Sequence, residues 1–311
     1  MISRRQFLGL MTSFGALSAS TVAYGFGVEP LLRLNVARYN FTPPQWPDNF
    51  PLTIAAVADI HACDPWMTEA HIEAVVERTN ALGADIIVLL GDFFAGHRFV
   101  TRYLDPAEWA RPLTQLKAPL GVHAILGNHD WWHDWQAQLD RRGPTVARRA
   151  LEAVGIPVYE NDAVRLTFNG NAFWLAGLGD QLAFIPSRRI RPGLRVGVDD
   201  LKRTLAKVTD DAPVVLLAHE PDVIVRVPSR VALTLSGHTH GGQVRVLGWA
   251  PVEPTRYGSR FMYGHARVAS DIVVSGGLGC SIVPFRLGVP PEIVLVELGN
   301  LPNSARRPIS V

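Results

Sequence analysis

The sequence predicts an α/β or α+β fold with a largely buried sheet system. Three observations carry this. Helix-like and strand-like segments alternate through the first half, and strands dominate the second. Most strand-like runs are continuously apolar, as expected of strands covered on both faces. Five of those runs end in short polar clusters. The composition agrees. The chain has 311 residues, 48% hydrophobic and 19% charged, with two cysteines. That is too apolar for a disordered chain and too poor in cysteine for a disulfide scaffold. It is also long enough to bury a large core.

The elements are expected in the following order. Residues 1–28 are set apart as an address rather than fold. Residues 29–51, rich in Pro and aromatics, read as an extended lead-in. Leu52–Ala58 is a buried-type strand. Met67–Leu82 is a helix, with Ile72, Val75, Val76 and Leu82 on one face and Thr68 as its cap. Ile86–Leu90 is the next strand, Pro106–Lys117 a helix, Gly121–Leu126 a strand and Thr145–Val154 a helix. Val164–Phe168 and Ala172–Ala176 alternate around Asn169-Gly170, a hairpin signal. Asp199–Lys207 is helical. Val214–Ala218, Ala232–Ser236, Ile272–Ser275 and Ile293–Leu298 are strands. No repeat or Ser/Gly linker divides the body, so one domain over 52–300 is expected, followed by a tail at 301–311.

The N-terminus reads Ser3-Arg4-Arg5-Gln6-Phe7-Leu8, followed by an uncharged run to Val28 rich in Gly, Ser, Thr and Ala. Paired arginines before a mildly apolar stretch mark a twin-arginine export signal. An N-terminal membrane anchor is the alternative, because the run is about long enough to span. Export by that machinery implies the periplasm or the outer face of the cytoplasmic membrane. The formal charge of +2 belongs to Arg4 and Arg5; the rest holds 28 basic and 28 acidic residues. A neutral body lacks the basic face that nucleic-acid binding needs.

The chemistry follows the strands. Asp59-Ile60-His61 comes after the first, Gly91-Asp92 after the second and Gly127-Asn128-His129-Asp130 after the third. His219 follows Val214–Ala218, and Gly237-His238-Thr239-His240 follows Ala232–Ser236. Taken singly, Gly-Asp is a turn signal and a lone His is a surface or core residue. Together they place carboxylate, amide and imidazole ligands where strand-end loops converge. Such a set without thiolate suits Mn, Fe or Zn rather than a structural zinc site. Phosphoester hydrolysis is the usual work of two such ions.

In this order, D-x-H, G-D, G-N-H-D, H and G-H-T-H, the sequence resembles the calcineurin-like metallophosphoesterases over residues 52–298. The segments Gly237–Gln243, His219-Glu220-Pro221-Asp222, Gly277-Leu278-Gly279 and Pro290-Pro291-Glu292 resemble the exported bacterial YkuE/YaeI-like branch. The resemblance implies a four-layer α-β-β-α sandwich with a centre of two divalent metal ions. Asp59, His61 and His240 would hold one ion, Asn128, His219 and His238 the other, and Asp92 would bridge them. A hydroxide between the ions would attack phosphorus in line. His129 would be catalytic, stabilising the transition state or protonating the leaving oxygen. Asp130 would orient a ligand or serve only as a loop residue. One departure stands out. Where many members carry an acid three residues after the bridging Asp, this chain has Ala95, so His129 lacks that partner. Gly96 replaces the arginine of protein Ser/Thr phosphatases, which argues against that activity.

Trp131 and Trp132 follow a ligand loop and are candidates for an apolar substrate platform, with core packing as the alternative. Cys63 and Cys280 lie on two site loops and could pair in an oxidising compartment. His71, His97, His123 and His265 lack any partner motif and read as structural or surface residues. The expected activity is hydrolysis of phosphodiester or pyrophosphate bonds, with a lipid or cell-envelope phosphoester as a candidate substrate. A non-catalytic metal-binding scaffold is the main rival. A metal-dependent amidohydrolase or peptidase would need a motif such as His-Glu-x-x-His, which is absent.

Overall fold

Alternation of side chains along the apolar runs decides the layering. In a strand, successive residues face opposite sides. Leu52, Ile54 and Ala56 therefore point one way, and Ala55 and Val57 the other. The computed structural model describes residues 18–185 and 196–299. Strands in chain order are β1 (Asn35–Phe41), β2 (Leu52–Val57), β3 (Cys63–Asp64), β4 (Ile86–Leu89), β5 (Arg102–Tyr103), β6 (Val122–Ala124), β7 (Asp162–Phe168), β8 (Asn171–Gly177), β9 (Val214–Leu217), β10 (Val231–Ser236), β11 (Gly264–Arg267), β12 (Asp271–Val274) and β13 (Glu292–Leu298). One sheet has the order β1-β13-β2-β4-β6, and the other β11-β12-β10-β9-β8-β7. Strands β3 and β5 form a separate short pair.

The two sheets bury a shared core of Leu52, Ile54, Ile86 and Val88 against Phe173, Leu175, Val215 and Leu235. The helices are α1 (Glu29–Leu32), α2 (Glu69–Ala81), α3 (Pro106–Leu113), α4 (Asn128–Trp132), α5 (Trp135–Asp140), α6 (Val146–Ala153) and α7 (Leu201–Leu205). The outer face of the first sheet packs Val57, Ile87 and Leu89 against Ile72 and Val76 of α2, Trp109 of α3 and Leu151 of α6. The outer face of the second packs Ala176, Leu216 and Ile272 with Val223 and Ile224, and with Leu201 and Leu205 of α7. The result is the expected four-layer α-β-β-α arrangement.

Several elements differ from expectation in extent. Thr68 does cap α2: its hydroxyl accepts from the His71 N–H, and His71 Nδ1 accepts from the Thr68 N–H. Helix α3 stops at Leu113 rather than Lys117, whose N–H is taken by the Asn80 side chain at 2.8 Å. Helices α4 and α5 form where only loops were expected. The lead-in holds β1, which pairs in parallel with β13 from Asn35↔Glu292 to Phe41↔Leu298. Before it, helical backbone runs over 18–32 with a π turn at Tyr24–Val28, and Phe26 packs edge-on against Phe285. Among the described residues no helix is long and apolar enough to cross a membrane. The Ser3–Leu8 motif and the 301–311 tail lie outside the described residues.

Candidate metal centre

Each candidate metal ligand sits two to four residues beyond a strand, where the backbone must turn sharply. Five of them do so in the left-handed region: Asp59 (φ 54°), His61 (49°), Asp92 (59°), His238 (69°) and His240 (51°). Such conformations cost roughly 1–3 kcal/mol each in a non-glycine residue and persist only where surroundings impose them. The surroundings here are hydrogen bonds. The Asp59 carboxylate accepts from the His238 N–H at 2.9 Å. Asp92 Oδ1 accepts from the His129 N–H at 2.8 Å. The buried Asp130 carboxylate accepts from the backbone N–H groups of Asp92, Phe93 and Gly127. Asp130 is thus an organiser of two ligand loops.

Close approach is secured by glycines. A Cβ on Gly127 would lie 2.3 Å from Asp92 Oδ1, and one on Gly237 would lie 2.5 Å from Asp59 Oδ2. The strand-end loops can therefore collapse onto one another. Ligand-type atoms gather in three groups within 4.8 Å: Asp59, His61 and His240; His61, Asp92 and His129; Asp92, His219 and His238. Asn128 joins through its Oδ1, 2.9 Å from His238 Nδ1. Asp92 Oδ2 faces both halves, 3.6 Å from His61 Nε2 and 3.2 Å from His219 Nε2.

Partners set the direction of the rings. His61 Nδ1 lies 2.6 Å from the Phe94 carbonyl, and His219 Nδ1 lies 2.7 Å from the Leu90 carbonyl. A carbonyl only accepts, so both Nδ1 atoms carry the hydrogen and both Nε2 lone pairs point into the site. His219 Nε2 is buried without a hydrogen-bond partner. A buried, unpartnered ring nitrogen beside a carboxylate, in a set of oxygen and imidazole donors, fits a divalent cation.

The charge balance is unusual without cations. Burial pushes the Asp59 carboxyl up to about 7, against the pull of His219. Burial also drives His61 down to about 3 and His129 down to about 4. Burial opposes charge on His219 as well, but the carboxylates of Asp92, Asp59 and Glu220 together outweigh it and raise the ring well above its ordinary value. Such displaced values mark a site built around charges it must receive.

The structure gathers Asp59, His61, Asp92, Asn128, His129, His219, His238 and His240 at one sheet edge. His129 has a buried Nδ1 without a hydrogen-bond partner. The platform expected of Trp131 is not available, because its ring is fully buried and packs edge-on against Phe184. Trp132 is half-buried, donates to the Leu182 carbonyl and lies 5.0 Å from the His129 ring. Cys63 and Cys280 are free thiols, both buried. His71 serves in a cap, His123 bonds Tyr159 and Leu120, and His265 pairs with Asp271.

Sequence reasoning missed two participants. Asp180 follows β8 after a glycine, the same pattern as Gly91-Asp92, so a signal existed; it is buried, with its Oδ2 unpartnered. Arg286 gave no signal. It is fully buried, and its Nη2 lies 3.1 Å from His240 Nδ1. A cleft of about 610 Å³ opens beside His238, lined by Gln181, Glu220, Asp222, Arg226 and Tyr257 among others.

Comparison with known proteins places these features in context. Residues 52–242 match the family described as calcineurin-like phosphoesterase. The chain is similar to the uncharacterized metallophosphoesterase YkuE of Bacillus subtilis, 30% identical over 96% of this chain and 98% of the relative. It is also similar to an uncharacterized metallophosphoesterase of Aquifex aeolicus, 31% identical over 87% and 94% of the two chains. A solved dimetal phosphatase from Danio rerio aligns over 73% of this chain and 88% of its own, with TM-score 0.39 and 13% identity.

Proposed function

Because the chain belongs to the calcineurin-like phosphoesterase family, and is a metal-dependent phosphoric ester hydrolase, we propose that it cleaves phosphodiester or pyrophosphate bonds outside the cytoplasm. The observation that carries this reading is the convergence of seven ligand-type side chains from five strand ends on one buried point, with Asp92 between the two halves.

Asp59, His61 and His240 would hold one divalent ion, and Asn128, His219 and His238 the other. Two such ions supply charge neutralisation for phosphate oxygens and an activated water for in-line attack. The remaining work falls to the chain. Asp130 and the two glycines keep the ligand loops collapsed. The ring of His129, 4.9 Å from that of His61, borders the site, placed to donate to a phosphate or leaving oxygen. Its N–H has no acid behind it, so it acts as a hydrogen-bond donor held by packing. The polar cleft beside His238 receives the leaving group.

A lipid or cell-envelope phosphoester is the proposed substrate. Support comes from apolar side chains left exposed on loops around the site. Phe99 is 62% exposed, Trp249 67% and Ile282 69%. Ser281, next to Ile282, pairs with Gly96, whose Cβ position lies 3.0 Å from the His61 ring. Export rests on the twin-arginine motif, and membrane association on that motif and the apolar rim. The test is a substrate panel on metal-loaded protein: monoesters, soluble diesters, pyrophosphates and diesters in mixed micelles. Diesters in micelles should turn over fastest, and polar substitution of Trp249 and Ile282 should remove that advantage only. Preference for soluble monoesters would overturn the reading.

A further inference from the structure

The short β3–β5 pair belongs to neither main sheet, yet it fixes the segment that follows Asp92. Cys63 pairs with Tyr103, and Asp64 with Arg102. Arg102 fastens the pair from its exposed side: Nε donates to Asp64 at 2.9 Å and Nη1 to Glu108 at 2.7 Å. Under the segment, Trp109 stacks on Phe93 at 5.0 Å and meets Phe94 edge-on at 5.9 Å.

A row of rings leads out of the metal centre along this segment. The His61 and His129 rings are 4.9 Å apart, and the His129 and His133 rings 5.9 Å. His133 stacks on Phe94 at 5.4 Å, almost parallel, and Tyr103 lies 6.3 Å from it. His129 and Phe94 are half-buried, His133 is exposed and Tyr103 is 50% exposed. The row therefore runs from a ligand ring to solvent. Its last members are positioned by backbone. His133 caps α4 one turn after His129, and its N–H donates to the His129 carbonyl at 3.1 Å. Residues so spaced share a helix face.

The tips of the row define its chemistry. A ring nitrogen of His133 donates to the Ala95 carbonyl, next to the Phe94 carbonyl that accepts from His61 Nδ1. A carbonyl only accepts, so the other His133 nitrogen presents a lone pair. Partial burial holds the ring below its ordinary value, so it is uncharged at neutral pH. Tyr103 adds a phenol on an apolar body. An acceptor and a phenol on flat rings suit hydroxyl groups better than phosphate oxygens, which need donors or cations. A phosphodiester has two alcohol arms, and the cleft beside His238 takes the one that leaves.

We propose that His133 and Tyr103 form a subsite for the arm that stays on the phosphate, and that they select a polyol arm, such as glycerol or a sugar, over a plain alkyl one. This rests on the diesterase reading above and deepens it, because a subsite for the second arm is what a monoester leaves empty.

A test keeps the leaving group constant and varies the arm. p-Nitrophenyl phosphate esters with a glyceryl arm, a propyl arm or no second arm are compared on Mn-loaded full-length protein. Wild type should favour the glyceryl over the propyl diester about tenfold in kcat/KM, through KM, as one or two ordinary hydrogen bonds would give. His133→Phe keeps the stack on Phe94 and loses the acceptor; Tyr103→Phe keeps the ring and loses the hydroxyl. Each should cut the preference to about threefold or less. Binding gives a readout apart from turnover. In calorimetric titration, glycerol phosphate should bind the Mn-loaded wild type about tenfold tighter than propyl phosphate, and the double variant should bind the two alike. Both positions are exposed, and melting curves report folding. Equal kcat/KM for the two diesters in wild type, equal binding of the two products, or a preference that survives in both folded variants would overturn the inference. Turnover of the monoester alone, or of no ester, would instead contradict the diesterase reading beneath it.

Discussion

Asp130 shows how one side chain can hold a site it does not enter. Its carboxylate takes three backbone N–H groups, from Asp92, Phe93 and Gly127. Asp130→Ala leaves those donors buried and unpaired, at about 1–3 kcal/mol per group. The variant should lose at least about 2 kcal/mol in denaturant unfolding, together with most of its metal uptake. Gly127→Ala should keep its secondary structure by circular dichroism yet bind metal poorly, since the new Cβ meets Asp92 and His219. The thiols give a separate check. Burial pushes Cys63 up to about 11 and raises Cys280 as well. A thiol reagent at pH 8 should find almost none in the native protein and two after denaturation without reductant. One or none after denaturation would contradict the free pair. At this scale the sequence was legible in type and silent in geometry. Asp, His and Asn after apolar runs named the donors. The positive φ of five ligands and the guanidinium behind His240 come from tertiary packing, which no local pattern encodes.

Strands and helices were legible where their own residues decide them. β2, β4, β9 and β10 are continuous apolar runs buried on both faces, and their ends delivered the ligand loops. The β7–β8 hairpin followed from Asn169-Gly170 at its tip. β1 was missed because it is a half-exposed edge strand whose partner, β13, lies some 250 residues away in sequence. Helices α4 and α5 were missed because five- and six-residue helices show too little period to read. The start of β13 offers a pH test. Glu292 is buried, accepts from Tyr263 Oη at 2.6 Å and from the Gly276 N–H, and burial raises its carboxyl above the ordinary 4.5. A carboxyl raised on folding contributes stability that is complete below its unfolded value and lost as pH climbs through the folded one. Relative to Glu292→Gln, wild type should therefore lose stability as pH rises from about 4.5 upward. Parallel pH profiles of unfolding free energy for the two proteins would contradict it. Glu29→Ala should lower the melting temperature by freeing the Val289 segment from the helix over 18–32.

Across the whole molecule, two sheets and their outer helices exist to bring five loops to one edge. A site assembled from so many elements couples metal binding to folding, because no unfolded chain presents all its ligands together. At 100 times its dissociation constant a bound ion should add about 2.7 kcal/mol to stability. Chelation should thus lower the melting temperature, and added Mn²⁺ should restore it. The apolar strands made a largely buried sheet system legible, and the four-layer arrangement followed only from the family resemblance. The lead-in was not legible, because its helix acquires meaning only against Phe285 and Arg286, far along the chain. The central claim, that this edge is a metal-dependent phosphoesterase site acting on diesters, is tested most directly by one assay. Metal-free protein is reconstituted in turn with Mn, Fe, Co and Zn, and hydrolysis of a chromogenic phosphodiester is followed beside Asp92→Ala. The account predicts turnover with at least one metal and a fall of at least about a hundredfold in the variant, of the size seen when a charge-stabilising group is removed. No turnover with any metal, or equal turnover in Asp92→Ala, would contradict it.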